Sequence, residues 1–500
     1  MIPSSGSMLL TLADEKATQQ LGEDLARALK PGDCIKLNGD LGAGKSTLAR
    51  ALIRAVADDD ALDVPSPTFT LVQAYDLRIP VAHFDLYRLG DSSELDELGF
   101  DEWLETGICL VEWPERAEDR LPEDALTLTF SFPKDGGRQL AISGPEPLLQ
   151  RVRRSLAIRA LLDQNGMAGA RRRFLSGDAD YRAYDLVSSP VGSPRIVMDS
   201  PKRPQTPVIR HGKTYPELVH LAEDCRAFVA IDHLLQDMGA TVPAIYAQDL
   251  DRGLLLIEDL GSEGVLDADG RPMAERYAAA AACLAHLARA DVSREIPVTP
   301  DHSHVIPAFD DAAMLYETEL LLDWHIPWKL GRQAHEAERQ EFAAIWQKLI
   351  GLLDDRTHLV LRDVHSPNLL WQAEKEGIQR VGLIDFQDAM IGPAAYDLAS
   401  LLQDARVTIP AAMQADLHDH YIDLRRDEAG FDAVAFRRDF AIMAAQRNCK
   451  LMGLWVRLKL RDNKPDYMRH MDRTLTYISA AFQHEALAPL KDWCARLGLI

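Results

Sequence analysis

Apolar residues in the first 145 positions recur in short runs separated by amphipathic stretches. "DCIKLNG" reads as a buried strand, and "STLARALIRAVA" as a helix with one apolar face that stops at Asp58-Asp59-Asp60. "VAHFDLYRL", "GICLVEW", "ALTLTFSF" and "RQLAISG" continue the strands. This alternation predicts an α/β layer fold on a largely parallel sheet. Beyond "ISGPEP" the pattern changes. "LLQRVRRSLAIRALLDQNG" is helical and arginine-rich, and "AGARRRFLSGDADYRAYDLVSSPVGSPRIVMDSP" predicts a β-hairpin unit around a Ser-Pro-Gly turn. From residue 215 onward the chain is mostly helical, with strand-like "GLLLIEDLG", "THLVLRDV" and "RVGLIDFQDA". Two domains are expected, 1–148 and 149–500, the second a small β-rich lobe (155–262) followed by a larger helical lobe (263–500).

Composition adds limits. A chain of 500 residues with 47% hydrophobic and 26% charged residues is an ordinary globular protein. Its net charge of −22 argues against broad adhesion to nucleic acid or anionic membrane, so direct nucleic-acid binding needs partners. The six cysteines show no CxxC pair, which predicts buried free thiols in a reducing cytoplasm. "MIPSSGSMLLTLADEKATQQ" lacks the pattern of a signal peptide, and no apolar run approaches the roughly 18–20 residues of a membrane span. The expectation is a cytoplasmic protein without membrane attachment.

Two stretches carry phosphate chemistry. Gly39, Asp40, Leu41, Gly42, Ala43, Gly44, Lys45 and Ser46 satisfy GxxxxGK[ST] between a strand and a helix, with Thr47 next. Glycines let backbone N–H groups turn around a phosphate chain, and the helix N-terminus favours its charge. Lys45 is expected to reach the β- and γ-phosphates of ATP, and the Ser46 hydroxyl to bind Mg²⁺. A second carboxylate should end a neighbouring strand; Asp85 and Glu112 are both candidates. "NGDLGAGKST", "VPSPTFTLVQAY", "HFDLYRL" and "VEWPER" together resemble the TsaE family, over residues 8–145. That family supplies the ATPase of the machinery making threonylcarbamoyladenosine in tRNA and works with TsaD and TsaB. The resemblance implies that Ser46, Thr47, Asp85 and Glu112 organise Mg²⁺ and nucleotide. It also implies a switch-like loop, Ser66-Pro67-Thr68-Phe69, near the γ-phosphate, and a role for Trp113 beside the acid.

In the second half, Asp363 and Asn368 stand in D-x-x-x-x-N spacing, and Asp385 follows an apolar run 17 residues later. Transfer of a phosphoryl group to a hydroxyl needs a carboxylate to orient the hydroxyl and take its proton, a role for Asp363. It also needs oxygen ligands for Mg²⁺, for which Asn368 and Asp385 are suited. His365 reads as a brace of the loop. "RDVHSPNLL" and "LIDFQDAMIGPAAYDLASLLQDAR" resemble aminoglycoside phosphotransferase-like kinases. Within them they resemble the AmgK branch, sugar kinases acting on the anomeric hydroxyl of N-acetylmuramate and N-acetylglucosamine. The likeness covers about residues 155–490 and implies a two-lobed, protein-kinase-like α+β domain, with Glu258 and Leu260 at the lobe-connecting hinge near adenine. Ser176-Gly177-Asp178-Ala179 is a candidate phosphate-covering loop.

The chain departs from the kinase pattern in one place. Strand "RIVMDSP" carries Met198 and Asp199 where a phosphate-clamping lysine is expected, and helix "CRAFVAIDHLL" has no glutamate near Phe228. Lys202, Arg203 or a residue of the "RRRFLSGDADYR" hairpin are candidate substitutes. Two alternatives to a sugar kinase follow. The second half is a non-catalytic binding module regulating the ATPase, or a kinase for choline, an aminoglycoside or another sugar. "HSH" at 302–304 reads as a surface turn, and Trp324 with Trp328 as helix packing.

Overall fold

The structure, a computed structural model, describes residues 7–132, 137–177, 181–190 and 192–500. It divides into two compact units, one running to Asp199 and including Tyr246–Asp249 and Leu254–Ile257, the other holding the remainder.

The first unit begins with β1 (Ser7–Leu12), α1 (Glu15–Ala28), β2 (Cys34–Asn38), α2 (Lys45–Ala57), β3 (Val72–Tyr75), β4 (Val81–Asp85), α3 (Glu94–Glu97), α4 (Phe100–Thr106), β5 (Ile108–Glu112), β6 (Leu126–Ser131) and β7 (Arg138–Ser143). The seven strands lie in the order β1-β7-β6-β2-β5-β4-β3. The central pairs β2–β5, β2–β6 and β4–β5 are parallel, whereas β1–β7, β6–β7 and β3–β4 are antiparallel. The expected largely parallel sheet is therefore parallel only at its centre. β2, β4 and β5 are buried nearly throughout, as two-sided central strands must be, while β6 and β7 alternate buried and exposed positions.

Helix α5 (Glu146–Gln164) then leads to β8 (Arg171–Gly177), β9 (Ala183–Ser188) and β10 (Arg195–Asp199). Its first half enters the core of the seven-stranded sheet through Leu148, Leu149 and Val152. Its second half joins another core, where Ile158, Leu161 and Leu162 meet Val187, Val197, Leu254 and Leu256. Arg159 and Arg172 are buried in a charge network rather than solvated. Arg159 forks onto the Asp24 carboxylate at 3.0 Å through both Nε and Nη2. Arg172 donates to Asp24 at 2.9 Å and to Asp185 at 2.8 Å, and Arg27 donates to Asp185 at 2.9 Å. Beside them Arg173 holds Asp58, the left-handed C-cap of α2, at 2.6 Å, and Arg171 pairs with Asp60. A helix and two strands are thus keyed to α1 and α2, the helix that starts at the P-loop.

The second unit contains β11 (Val208–Arg210), β12 (Lys213–Thr214), α6 (Tyr215–Leu218) and α7 (Arg226–Asp237). β13 (Ile245–Asp249) and β14 (Leu254–Glu258) complete the five-stranded sheet β13-β14-β10-β9-β8 and lie almost wholly in the first unit. There follow α8 (Ala274–Leu287), β15 (Glu295–Thr299), β16 (His302–Val305), α9 (Asp311–Thr318), α10 (Ile326–Leu330), α11 (Glu336–Ile350), β17 (His358–Val360), β18 (Leu369–Trp371), β19 (Val381–Leu383), β20 (Met390–Gly392), α12 (Ala395–Leu402), α13 (Ala411–Arg425) and the long α14 (Ala433–Leu460). Two short antiparallel ribbons, β17–β20 and β18–β19, frame the Asp363 loop.

One local expectation changes. His302–His304 belongs to β16 of a hairpin with β15 rather than a surface turn. Trp324 is half-buried on a π-helical turn, Leu321–His325, and Trp328 is partly exposed while its ring packs 5.6 Å from that of His325. All six cysteines are buried free thiols. No helix among the described residues is long and apolar enough to cross a membrane.

Candidate functional sites

At the first site Gly39, Gly42 and Gly44 take φ values of +140°, +77° and +112°, which other residues adopt only at a cost. The loop delivers Lys45 to the start of α2. Lys45 is buried, donates to the carbonyls of Gly39 at 2.6 Å and Asp40 at 3.0 Å, and lies 3.8 Å from the centre of the Trp113 ring. Burial lowers its pKa, and the carboxylates Glu112, Glu115, Asp85 and Asp40 oppose that shift. Trp113 is held at φ +59° and packs on Tyr87 at 5.0 Å. Leu41 is exposed at the loop tip, Ala43 is buried, and Thr47 is the third residue of α2.

Parallel pairing of β4 with β5 sets Asp85 opposite Glu112, so both candidate carboxylates arrive at one edge. They take different partners. Ser46 Oγ donates to Glu112 Oε2 at 2.9 Å. Asp85 Oδ2 accepts Thr68 Oγ1 at 2.8 Å and Ser66 Oγ at 3.1 Å, and so ties the switch-like loop to the strand. The sequence reading missed His83, buried on β4, whose Nε2 lies 3.0 Å from Glu112 Oε1 and turns that carboxylate toward Ser46. Strand alternation was the available signal, because His83 and Asp85 share one face.

At the second site the turn after β17 brings Asp363, His365, Asn368 and Asp385 together. Asn368 Nδ2 donates to the Asp363 carbonyl at 3.0 Å and to Asp385 Oδ2 at 3.3 Å. Its amide oxygen is thereby the atom left to face a cation. Asp385 does not end its strand: β19 stops at Leu383, and Asp385 follows at φ +61°, with Gln387 Nε2 on its Oδ1 at 2.8 Å. His365 Nε2 stands 3.5 Å from Asn368 Nδ2, a weak contact. Burial and the nearby Arg406 push the His365 pKa down, and Asp363 and Asp404 oppose that shift. Burial opposes ionisation of Asp363, and Lys450, His365, Arg362 and Arg447 outweigh it and hold the carboxyl below its ordinary range.

The loop backbone is anchored by acids the sequence reading did not name. Asp397 accepts the N–H groups of Leu361 at 2.6 Å and Arg362 at 2.8 Å, and Asp404 accepts the Ser366 hydroxyl at 2.5 Å and its N–H at 2.8 Å. Their signal lay in the quoted stretch "YDLASLLQDAR", where both acids sit on or beside a helix that is otherwise apolar.

The residues expected at the hinge have separate partners. Glu258 Oε2 accepts the Ala244 N–H at 3.1 Å, and the Leu260 carbonyl accepts Gln372 Nε2 at 2.8 Å. Met198 is fully buried in β10, and Asp199 pairs with Arg154. Arg203 Nε donates to the Ala222 carbonyl at 3.1 Å, while Lys202 is exposed. Helix α7 lacks glutamate near Phe228 but carries a buried Asp232 one turn later, bonded to Gln236 at 2.8 Å. Of the candidate phosphate-covering loop, Asp178 and Ala179 lie outside the described residues.

Known families match both sites. The model of the threonylcarbamoyl adenosine biosynthesis protein TsaE matches residues 12–140, and that of the phosphotransferase enzyme family matches residues 171–435, more than half of the chain. The chain is 35% identical over 136 residues to the TsaE protein of Haemophilus influenzae, covering 26% of this chain and 85% of that one. It is 32% identical over 355 residues to the N-acetylmuramate/N-acetylglucosamine kinase of Caulobacter vibrioides, covering 69% of this chain and 96% of that one. The chain belongs to the phosphotransferase enzyme family, fused behind a TsaE-family domain. A TsaE protein of Rickettsia felis is 43% identical over 108 residues, covering 21% of this chain and 63% of the relative. In the TsaE domain the matched span holds the P-loop, the switch-like loop, Asp85, Glu112 and Trp113. In the phosphotransferase domain it holds Asp363, Asn368 and Asp385, and reaches back to β8.

Proposed function

We propose that the chain is bifunctional. Its TsaE domain hydrolyses ATP in the service of threonylcarbamoyladenosine formation in tRNA, working in the cytoplasm with TsaD- and TsaB-like partners. Its phosphotransferase domain transfers the γ-phosphate of ATP to the anomeric hydroxyl of N-acetylmuramate or N-acetylglucosamine, a step of cell-wall recycling. The observation that carries the second part is the convergence of Asp363, Asn368 and Asp385 on one anchored loop, in a chain so similar to a kinase of that name.

The donor sets fit Mg²⁺, a hard cation that takes oxygen ligands: the Ser46 hydroxyl and Glu112 in one domain, the Asn368 amide oxygen and Asp385 in the other. Bound there, Mg²⁺ would supply positive charge against the phosphates, and these residues would hold it. Lys45 exchanges the Gly39 and Asp40 carbonyls for the β- and γ-phosphates. The ionised Asp363 accepts a hydrogen bond from the sugar hydroxyl, orients it toward phosphorus and takes its proton as the O–P bond forms.

A second reading has its own support. Met198 stands where a lysine clamp is expected, and Asp232 has no cation among its described partners. A half that binds sugar or nucleotide and regulates the ATPase without transfer accommodates both. Incubation of the full chain with ATP and a panel of N-acetylmuramate, N-acetylglucosamine, choline and an aminoglycoside, read by mass spectrometry, separates the readings. Phosphorylated N-acetylated sugar supports transfer. A panel without any product supports the binding module, and product from choline or aminoglycoside alone reassigns the acceptor.

A further inference from the structure

Behind the Asp363 loop lies a cluster of charge that neither family assignment uses. Glu317, on α9, is fully buried. Its Oε1 accepts Lys450 Nζ at 2.8 Å and also Arg362 Nη2; its Oε2 accepts Gln446 Nε2 at 3.0 Å. Gln446 and Lys450 are four residues apart on α14, so one face of that helix presents both to Glu317. Arg362 closes the cluster from the loop side and is the residue immediately before Asp363.

Two features make this more than a buried ion pair. The first is charge. Two cations share one carboxylate, and the Nε and Nη1 atoms of Arg362 are buried with no hydrogen-bond partner among the described residues. A buried cation in excess is costly, and the other acids that act on Arg362 are Asp388 and its chain neighbour Asp363. The second is conformation. Arg362 has φ +77°, a left-handed geometry that a side chain other than glycine keeps only when its surroundings enforce it. Asp397 enforces it from the backbone, and Glu317 from the side chain. The Asp363 N–H bonds back to the Leu361 carbonyl at 3.0 Å across this turn, so the turn at 362 sets where the Asp363 side chain projects.

We propose that Lys450 is a positioning residue for phosphoryl transfer: by sharing the Glu317 carboxylate with Arg362 it fixes the strained turn that aims Asp363. Lys450 reaches the loop through the Glu317 carboxylate it shares with Arg362, fixing the position of the carboxylate that Arg362 must meet, and its charge also acts on Asp363. The inference rests on the reading of Asp363 as the group that orients the acceptor hydroxyl. It reaches beyond that reading in naming a third element, α14, as part of the machinery.

The test uses the full chain and initial rates of phosphosugar formation from ATP and N-acetylglucosamine. Lys450→Met leaves the Glu317–Arg362 pair in place and is expected to fold. It should lower kcat by about 10- to 100-fold, the loss that a misplacement of ångström scale produces, with KM for ATP and sugar within about twofold. Lys450→Arg, which keeps the charge and a donor, should recover most of the rate. Should Lys450→Met fail to fold, Lys450→Gln, which retains a donor without charge, takes the same test. An unchanged kcat overturns the proposal, and so does a rise in sugar KM at constant kcat, which marks direct substrate contact. Equal loss in the Arg and Met variants also overturns it. A wild-type chain that phosphorylates nothing overturns the Asp363 reading and this inference together, whereas an active wild type with an unaffected Lys450→Met overturns the inference alone.

Discussion

Arg172→Met probes the charge network that joins α1, α5, β8 and β9. Three arginines, Arg27, Arg159 and Arg172, face three acids, Glu23, Asp24 and Asp185. The Arg172 and Asp24 side chains are only 1% and 3% exposed, so solvent does little to screen the pair. Arg172 alone makes two bonds to Asp185, one to Asp24 and two to Ser155. Its removal leaves three acids, Asp24 and Asp185 buried and Glu23 half-buried, with two arginines, and breaking one member of a buried pair costs about 3–5 kcal/mol. Asp24→Asn errs in the other direction and carries a similar cost. The double variant restores the balance, so its loss should fall short of the sum by at least about 1 kcal/mol. Amide hydrogen exchange in β8 and β9 of the full chain is the suitable assay, because it reads local opening. The single variants should exchange about a hundred- to a few-thousand-fold faster there. Single-variant effects within about 0.5 kcal/mol, or strict additivity in the double variant, would refute the account of a buried, mutually dependent network.

Other consequences can be checked independently. Glu112→Gln should lower ATP hydrolysis by the TsaE domain at least about 100-fold, since Glu112 is the acid that Ser46 and His83 address, and leave sugar phosphorylation unchanged. Burial pushes the Asp232 carboxyl up to about 7 from 3.8. The folded state thus holds this proton more tightly than the unfolded one, a contribution fully present below the unfolded pKa and lost as pH rises through about 7. Asp232→Asn, which cannot ionise, should raise Tm by several degrees at pH 8 and by distinctly less at pH 5; equal effects at both would contradict that sign. Glu317 moves the other way: burial alone raises its pKa, but Lys450, Arg362 and Gln446 together draw it down to about 2. Its contribution is present above the ordinary 4.5 and lost as pH falls toward about 2, so Glu317→Gln should flatten the acid limb of the stability profile.

Much of this was legible in the residues because motif and element coincide. The P-loop lies between a strand and a helix by its own hydrophobic pattern, and Asp363 and Asn368 are local to one turn. What was not legible depends on pairing between distant residues. Asp85 and Glu112 were equivalent as strand ends; only the β4–β5 register, with His83 on one and Ser46 opposite, separates their roles. The antiparallel edges of the largely parallel sheet were not legible because hydrophobic alternation does not reveal direction, although β6 and β7 carry the half-exposed pattern of an antiparallel ribbon. The arginine-rich stretches read as a change of character at a boundary, since Arg159 finds Asp24 135 positions away. Asp232 was not legible because it is an aspartate, and lies one turn beyond Phe228, where a glutamate is expected.

Asp363→Asn bears most directly on the second domain. In the full chain, with ATP and N-acetylglucosamine or N-acetylmuramate, wild type should yield the phosphorylated sugar. Asp363→Asn should lower kcat by about 10²–10⁴-fold while ATP binding persists. A wild-type protein that yields no phosphosugar, or an Asp363→Asn variant as active as wild type, would contradict a working transfer site built on Asp363, Asn368 and Asp385.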